Sequence, residues 1–329
     1  MEILATNDSG IARAARALAE GLLVAIPTET VYGLGANAFD VRAVARVFEA
    51  KRRPSFDPLI VHIAELGFLE EVADFPNELA RRLAEAFWPG PLTLILPKRE
   101  RVPGLVTSGL DSVAVRMPSH PVAREIIRLS GLPIAAPSAN PFGYLSPTRA
   151  EHVARMLGEA VDFIVDGGAS DIGVESTVLD VRGGIPRILR PGGLPRAAIE
   201  EICGKVELID RSSAQPTSPG QLESHYAPRA RLWLVEAGGL VEAPVAEGDA
   251  LLFFDDASRA AFERLRGASV GGKRRVLSPS GDLLEAAASL FDILHELDLA
   301  GTAEIWAERV PSEGLGLAVN DRLWKASAK

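Results

Sequence analysis

The chain has 329 residues, a formal net charge of −9 at pH 7 and 47% hydrophobic residues, an ordinary composition for a globular protein. Its length favours two domains, because single domains usually span about 100–200 residues. The acidic balance argues against a strongly basic coat for nucleic acid, and the single cysteine, Cys203, excludes a disulfide framework and a multi-cysteine zinc site. The N-terminus lacks the pattern of a secretory signal, and no apolar run approaches the roughly 20 residues of a membrane span, so we expect a cytoplasmic protein.

Apolar strands alternate with helical stretches over the first two thirds of the chain. Apolar residues at helical spacing predict helices at 41–51, 79–87, 122–129 and 151–157. Short apolar or alternating runs predict strands at 21–26, 59–63, 92–96, 112–117, 134–136, 163–165, 176–181 and 187–189. This alternation predicts a mixed α/β domain.

A change of composition separates this region from the rest of the chain. Residues 211–228, RSSAQPTSPGQLESHYAP, are polar and rich in Ser and Pro, which is typical of a linker. Beyond it, the pattern predicts strands at 231–235, 250–254, 275–277 and 304–308 and a helix at 283–297. We therefore predict three segments, a first domain at 1–208, a linker at 209–229 and a small parallel α/β domain at 230–329.

A segment rich in hydroxyls and glycines follows the first predicted buried strand. Residues 27–37, PTETVYGLGAN, place three hydroxyls and one carboxylate at the strand end. Gly33 and Gly35 formally fit a G-x-G-x-x-A dinucleotide fingerprint, although no acidic residue ends a second strand as that motif requires. The alternative is a Gly-rich turn whose hydroxyls cap the next helix.

Four basic or titratable residues lie where a ligand or a structural partner would suit them. Lys51 and Arg53 lie at a rigid turn ended by Pro54, where their donors suit a polyphosphate. Arg116 lies in an apolar strand, so it either pairs with a carboxylate or reaches an anion site. His62 is either a satisfied core histidine or a ligand.

Small polar residues occur in two further loops. Ser138 and Asn140 lie in a Pro-bracketed loop, AAPSANPFGY, which is either an ordinary turn or part of a site. Ser176 precedes a predicted strand, and Arg190 follows another beside two glycines, where it contacts either an anion or solvent. The sequence contains no G-x-x-x-x-G-K-[ST] segment, so any use of ATP follows a design other than the P-loop.

These motifs occur in the order that is typical of YrdC-like threonylcarbamoyl-AMP synthases, and the chain resembles that family over nearly its whole length. The matching segments are PTETVYGLGAN, KRRPSFDPLIVHI, WPGPLTLIL, VAVRMPSHP, PSANPFGYLSPT, GVESTVLD and ILRPGG. SPGQLESHYAP and LGLAVNDRLWKAS resemble the linker and the end of the family's long form. The resemblance implies a twisted, largely parallel sheet with a concave cavity, a linker that acts as a lid, and a small Rossmann-like C-terminal domain.

The resemblance also implies a reaction. ATP, L-threonine and bicarbonate or CO2 give L-threonylcarbamoyl-AMP and pyrophosphate, with Mg2+ accompanying ATP. The product supplies N6-threonylcarbamoyladenosine modification of tRNA through downstream tRNA-modifying transferase proteins. The reaction requires positioning and charge neutralisation, so no covalent protein nucleophile is expected. Neither membrane association nor stable nucleic-acid binding is expected.

Site residues follow from the resemblance position by position. It implies that ATP is bound by Lys51, Arg53, Asp57, Thr107, Ser138, Asn140, Ser146, Arg190 and Tyr226. It implies that threonine is bound by Thr30, His62, Arg116 and Ser176. Within these sets, Arg116 is the expected partner of the threonine carboxylate, and Tyr226 is expected to cover the site.

Two positions depart from the family pattern. Asp57 stands where many relatives have asparagine, so it either binds magnesium or pairs with Arg53. The residues QLES precede His225 where basic residues are common, which removes a possible phosphate contact.

An alternative function from a different class is an RNA-binding module with a basic concave surface. The acidic charge and the scarcity of aromatic residues count against it. A carbamoyl-transfer enzyme of hydrogenase maturation would need zinc fingers, which one cysteine excludes. A family member without synthase activity is disfavoured because Lys51, Arg53, Ser138 and Asn140 are all retained.

Overall fold

The computed structural model describes residues 1–209, 225–267 and 270–328, which divide into two compact units. The first unit comprises Met1–Phe142, Ser146–Asp171 and the chain from Glu175 to the end of the first described range. The second comprises Gly143–Leu145, Ile172–Val174 and the described residues from 225 onward. Most of the predicted linker at 209–229 lies outside the described residues, and the predicted boundaries and lid stay predictions.

Eleven strands among the described residues form one sheet in the first unit. They are β1 (Glu2–Ala5), β2 (Val24–Ile26), β3 (Gly33–Asn37), β4 (Ile60–His62), β5 (Leu92–Pro97), β6 (Ser112–Arg116), β7 (Ile134–Ala135), β8 (Phe163–Asp166), β9 (Thr177–Asp180), β10 (Arg187–Arg190) and β11 (Glu207–Leu208). Their order across the sheet is β1-β8-β2-β3-β7-β4-β6-β5-β9-β10-β11.

The expectation of a largely parallel sheet is wrong for this unit. Adjacent strands such as β4 and β6 run parallel, but β2 with β3, β3 with β7, β4 with β7, β5 with β6, and β9 with β10 run antiparallel. Short connections, such as the one from β2 to β3, return the chain along a neighbouring strand, which requires antiparallel pairing. The predicted mixed α/β class is confirmed.

Helices of the first unit pack against both faces of this sheet. They are α1 (Asp8–Ala19), α2 (Val41–Lys51), α3 (Leu66–Val72), α4 (Glu78–Phe87), α5 (Gly104–Thr107), α6 (Pro121–Ser130), α7 (Ala150–Leu157) and α8 (Arg196–Cys203). Helices α1 and α6 share one apolar cluster with β1, β2 and β8, while α2 and α4 share the main core with the opposite face. Side-chain caps fix several starts, since Asn7 accepts from the Gly10 N–H at 2.9 Å and Asp40 accepts from the Arg42 N–H at 2.8 Å.

The glycine-rich segment after β2 forms a strand. Gly33–Asn37 is β3, which pairs with β2 and β7, so both the fingerprint and the capping turn are wrong. A Cβ atom on Gly35 would lie 3.0 Å from Ile134 Cγ2 and 3.1 Å from the Val24 carbonyl oxygen. Glycine suits this position because a side chain there would require the neighbouring strands to yield by a few tenths of an ångström.

The second unit contains a smaller, wholly parallel sheet. Its strands are β12 (Arg231–Val235), β13 (Ala250–Phe253), β14 (Arg274–Val276) and β15 (Glu304–Glu308), in the order β12-β15-β13-β14. Its helices are α9 (Asp256–Arg266), α10 (Leu283–Leu299) and α11 (Gly316–Ser327). The prediction of a small parallel α/β domain is confirmed. In the described ranges, no helix combines the length and the apolarity that crossing a membrane requires.

Candidate active site

Strands β4 and β6 carry two of the predicted threonine-binding residues, His62 and Arg116. Successive strand residues point to opposite faces, so His62 shares a face with Ile60, and Arg116 shares one with Ala114. A small apolar cluster on this face is separate from the main core and consists of Ile60, Ile95, Ala114 and Val178. The register places His62 directly beside Arg116. The sheet therefore brings these two predicted threonine-binding residues together.

Arg116 is buried and has a carboxylate partner within the chain. Its Nη2 atom lies 2.6 Å from Glu29 Oε1, and both side chains are at most 5% exposed. Its Nη1 atom donates to Thr30 Oγ1 at 2.7 Å, and its Nε atom donates to the Gly90 carbonyl at 3.2 Å. Of the two roles that the sequence left open for Arg116, pairing with a carboxylate is thus observed. Contact with the threonine carboxylate stays a prediction.

Glu29 and Thr30 belong to the connection between β2 and β3, which is fixed by hydrogen bonds. Glu29 Oε1 also accepts from the Ser119 N–H at 3.0 Å. Burial alone would raise the pKa of Glu29, but the Arg116 guanidinium and the Ser119 N–H outweigh it and hold that pKa below its ordinary value. The hydroxyls of Thr28 and Thr30 lie 2.9 Å apart. The loop therefore presents a charged carboxylate and two hydroxyls beside Arg116.

His62 is buried in a surrounding that opposes its protonation. Burial and the neighbouring Arg116 charge lower the pKa of His62 to about 3. The side chain is therefore a neutral imidazole at physiological pH and is too weak a base to remove a proton efficiently. Its arrangement suits a hydrogen-bonding role.

Ser176 and Arg190 form a second group near the start of β9. Ser176 Oγ lies 2.8 Å from Thr93 Oγ1. The Nη2 atom of Arg190 donates to the Ser176 carbonyl at 2.9 Å and lies 3.2 Å from its hydroxyl. Arg190 pairs in register with Val178 of the small apolar cluster. Ser176 is predicted to bind threonine and Arg190 to bind ATP, so residues assigned to different substrates are in direct contact.

Lys51, the last residue of α2, is joined to the loop of Ser138 and Asn140. Its Nζ atom donates to the backbone carbonyls of both residues. Its own carbonyl accepts from the Phe142 N–H at 2.7 Å. Burial and the nearby Arg53 charge lower the pKa of Lys51 well below its ordinary value. The structure therefore brings together the two motifs that the resemblance assigns to ATP.

Arg53 pairs with Asp57 four residues later. The Nη2 atom of Arg53 lies 2.8 Å from Asp57 Oδ2, and both side chains are nearly inaccessible to solvent. Its Nε atom also donates to the Asp57 carbonyl at 3.0 Å. Burial raises the pKa of Asp57, and the charges of Arg53, Lys51 and Arg190 oppose this rise. Pairing with Arg53 is thus the observed role of Asp57, and a magnesium role stays a prediction.

Three further residues predicted to bind the nucleotide have partners within the chain. The Thr107 hydroxyl donates to the Leu110 carbonyl at 2.9 Å, and the Ser146 hydroxyl donates to Glu175. Tyr226 lies in the second unit with a left-handed φ of 62°, and its ring lies 5.8 Å from the Phe291 ring. Their contacts with ATP stay predictions, as does the covering role of Tyr226.

Magnesium that arrives with a nucleotide stays a prediction for this site. Within the described ranges, no three or more His, Cys, Asp or Glu side chains are arranged to hold a metal ion. Magnesium usually binds through one or two carboxylates together with substrate phosphates. Asp57 is a buried carboxylate paired with Arg53, and its contact with such an ion stays a prediction.

Sequence reasoning did not assign three residues that the structure places among the others. They are Glu29, Thr93 and Glu175, which contact Arg116, Ser176 and Ser146 respectively. Each lies within a motif quoted for the family, but its own role is visible only through its partner. The signal available for Glu29 was a carboxylate at a buried strand end, which requires a cation.

Comparison with known proteins gives a consistent result along the chain. Residues 16–192 match a family model described as telomere recombination, and residues 194–328 match one described as the C-terminal domain of threonylcarbamoyl-AMP synthase. A threonylcarbamoyl-AMP synthase from Pyrococcus abyssi is 46% identical over 95% of this chain and 93% of its own length. One from Bacillus subtilis is 44% identical over 98% of this chain and 94% of its own.

The fold agrees with these relatives. The crystal structure of P. abyssi Sua5 complexed with L-threonine has a TM-score of 0.87 and 43% identity, and the match covers 99% of this chain and 97% of that one. Sequence and fold therefore agree over both units, and the chain belongs to the threonylcarbamoyl-AMP synthase family.

Proposed function

We propose that this protein makes L-threonylcarbamoyl-AMP and pyrophosphate from ATP, L-threonine and bicarbonate or CO2. The observation that carries the proposal is its likeness, over 99% of the chain, to a structure that holds L-threonine. The two buried groups of polar residues in the first unit support this assignment, because one suits an amino acid and the other suits a polyphosphate.

The group around Arg116 has the chemistry to bind threonine. A guanidinium has five N–H donors, and the described contacts of Arg116 involve three oxygen atoms, so it retains donors for a substrate carboxylate. Thr30 supplies a hydroxyl, and His62 supplies a neutral ring nitrogen. The Ser176 hydroxyl, which lies beside Thr93 and Arg190, is proposed to contact threonine as well. These residues lie in a buried setting, where hydrogen bonds orient a small substrate more strongly than in water.

The group around Lys51 and Arg53 has the chemistry to bind the phosphates of ATP. A bound polyphosphate would raise the pKa of Lys51 towards its ordinary value, because an opposite charge favours the ammonium form. Ser138 and Asn140 are held against Lys51 by its hydrogen bonds, and Arg190 is held by Ser176. Magnesium enters as part of the Mg·ATP substrate.

The chemistry then depends on positioning. The neutral amine of threonine attacks CO2 and loses one proton to solvent, or attacks bicarbonate with loss of water, to form a carbamate. The carbamate oxygen then attacks the α-phosphorus while pyrophosphate leaves. The protein orients the reactants for both nucleophilic attacks and neutralises the negative charge of the phosphates. No side chain needs to form a covalent bond. The predicted lid would exclude water from the product's mixed anhydride.

The wider role follows from the product. Threonylcarbamoyl-AMP would supply N6-threonylcarbamoyladenosine modification of tRNA through separate tRNA-modifying transferases. A cytoplasmic location stays a prediction. The RNA-binding alternative is not favoured, because Lys51, Arg53 and Arg116 are each at most 8% exposed, whereas phosphate-backbone binding uses accessible cations.

Pyrophosphate release from Mg·ATP and bicarbonate tests the proposal. We expect release that requires L-threonine, that serine does not replace, and that falls at least about tenfold in Lys51→Ala because a phosphate contact is lost. Lys205→Ala, an exposed lysine, is the matched control and should retain full activity. Folded protein that releases no pyrophosphate in response to threonine would contradict the proposal, and RNA titrations would follow.

A further inference from the structure

Glu29 has one carboxylate oxygen in use and one without a partner. Oε1 pairs with Arg116 and accepts from the Ser119 N–H. Oε2 is buried and has no hydrogen-bond partner among the described residues. A buried carboxylate oxygen without a donor is costly, and such atoms are rare in native proteins unless a ligand or an ordered water serves them.

The position of Glu29 next to Arg116 and Thr30 makes a ligand the better explanation. Thr30 Oγ1 accepts from Arg116 Nη1, so all three residues share one hydrogen-bonded group. His62, beside Arg116 in register, also has a buried ring nitrogen, Nδ1, without a partner in the described part of the chain. Arg116 thus has two neighbours with an unserved polar atom each, Glu29 as its ion-pair partner and His62 as its partner in register.

The charges in this group are complementary to those of an α-amino acid. An amino acid carries a carboxylate and an amino group on neighbouring atoms, and Arg116 with Glu29 offers a cation and an anion 2.6 Å apart. Complementary charges at this spacing fix the orientation of a zwitterion. A carboxylate in its charged form can only accept hydrogen bonds, so Oε2 requires a donor such as N–H.

We propose that Glu29 binds the amino group of the amino-acid substrate through Oε2. This inference rests on the proposed function and assigns a further substrate-binding residue to the same site. While Arg116 holds the carboxylate, Glu29 would fix the nitrogen that has to attack the carbon of CO2 or bicarbonate. Selection for an amine would then come from this pair, and selection for the hydroxyl would come from other residues.

Affinities of three ligands for the full-length wild type and Glu29→Gln test the inference. L-Threonine carries all three groups, (R)-3-hydroxybutanoate lacks the amine, and L-2-aminobutyrate lacks the hydroxyl. We expect Glu29→Gln to weaken L-threonine and L-2-aminobutyrate by the same factor, about tenfold or more, because a charge-assisted hydrogen bond is lost. Binding of (R)-3-hydroxybutanoate, which depends on Arg116 but not on an amine, should weaken by a clearly smaller factor.

Other outcomes would overturn the inference. If Glu29 merely supports Arg116, all three ligands weaken equally, and if it binds the substrate hydroxyl, L-2-aminobutyrate is spared. If a water serves Oε2, threonine affinity is unchanged. If the wild type binds threonine and releases pyrophosphate but Glu29→Gln gives one of these patterns, only the role of Glu29 is refuted. Wild-type protein that does not bind threonine refutes the proposed function as well.

Two further variants keep the test decisive. Glu29→Asp retains the charge and should fold where Glu29→Gln does not, and its shorter side chain should still weaken threonine more than (R)-3-hydroxybutanoate. Glu125→Gln alters an exposed glutamate whose partner is Arg128 on the same helix. It is expected to leave all three affinities unchanged.

Discussion

At the scale of single residues, the site is defined by charges that are buried together. Glu29 with Arg116 and Arg53 with Asp57 are ion pairs whose side chains are almost inaccessible. A buried pair adds little net stability compared with apolar residues, but removal of one partner is costly. These pairs therefore hold hydrogen-bond donors in position, and substitution of either partner destabilises the protein.

Replacement of Arg116 should expose this cost. Arg116→Leu leaves Glu29 buried without its cation and should lower the free energy of unfolding by about 3–5 kcal/mol in urea denaturation. Arg128→Leu removes the partner of exposed Glu125 and should cost no more than about 1 kcal/mol. Equal losses for the two variants would show that the Arg116 pair is not held as the structure shows it.

His62 should make folding stability depend on pH. Its pKa is about 3 in the folded protein and 6.5 ordinarily, so between these values the unfolded chain binds the additional proton. The stability from neutral His62 is present above pH 6.5 and is lost as pH falls, by up to about 1.4 kcal/mol per pH unit. The free energy of unfolding, measured in urea at pH 7, 6 and 5, should fall less steeply with decreasing pH in His62→Asn than in the wild type. An equally steep pH dependence of the unfolding free energy in the wild type and in His62→Asn would contradict the burial of the His62 ring.

The residue types of the site could be predicted from sequence, but their partners could not. Arg116 is unusual in an apolar strand, which predicts a carboxylate partner or an anion site, and Lys51 and Arg53 lie at a rigid turn that suits a polyphosphate. Glu29 and Arg116 lie 87 positions apart, and only the folded sheet shows that they meet. The charge of Asp57 left two roles open, and its distance to Arg53 identifies one of them.

At the scale of elements, prediction succeeded where the side-chain pattern reflects burial. Helix α2 has the predicted bounds because its apolar residues face the main core in regular spacing. Helix α9 was missed because Phe262 is its only residue described as buried. Helix α11 was missed because buried polar residues interrupt its pattern, among them Arg322 and Lys325. Strand β3 was missed because its glycines resemble a turn.

The segment that follows β10 should be sensitive to substitution at Gly192, whereas the loop between β9 and β10 should tolerate one at Gly183. A Cβ atom on Gly192 would lie 2.3 Å from the Glu175 carbonyl oxygen and 2.5 Å from that of Ser176, so the backbone would have to move. Gly192→Ala should cost roughly 2 kcal/mol or more of unfolding free energy and reduce threonine-dependent activity.

Gly183, in the loop between β9 and β10, provides the control for that substitution. A Cβ atom there meets nothing within 4 Å, so Gly183→Ala should change the free energy of unfolding by no more than about 0.5 kcal/mol. Full activity and stability in Gly192→Ala would contradict the close approach of the two backbones.

At the scale of the whole molecule, the sequence predicted two α/β parts, but no pattern in it marked two short segments that belong to the second unit. Gly143–Leu145 and Ile172–Val174 belong to the second unit although the first surrounds them in sequence. The Gly143 carbonyl accepts from the Ala227 N–H at 2.9 Å, and Tyr144 donates to Asp298. Such contacts join residues distant in sequence, and no local pattern encodes them.

Mass spectrometry of the product shows whether the protein builds a threonylcarbamoyl group on AMP. Incubation with Mg·ATP, L-threonine and 13C-bicarbonate should give threonylcarbamoyl-AMP that is one mass unit heavier than the product from unlabelled bicarbonate. Two results would contradict the proposed reaction. One is threonyl-AMP without the added carbon, and the other is AMP and pyrophosphate with no threonine-containing product detected during turnover.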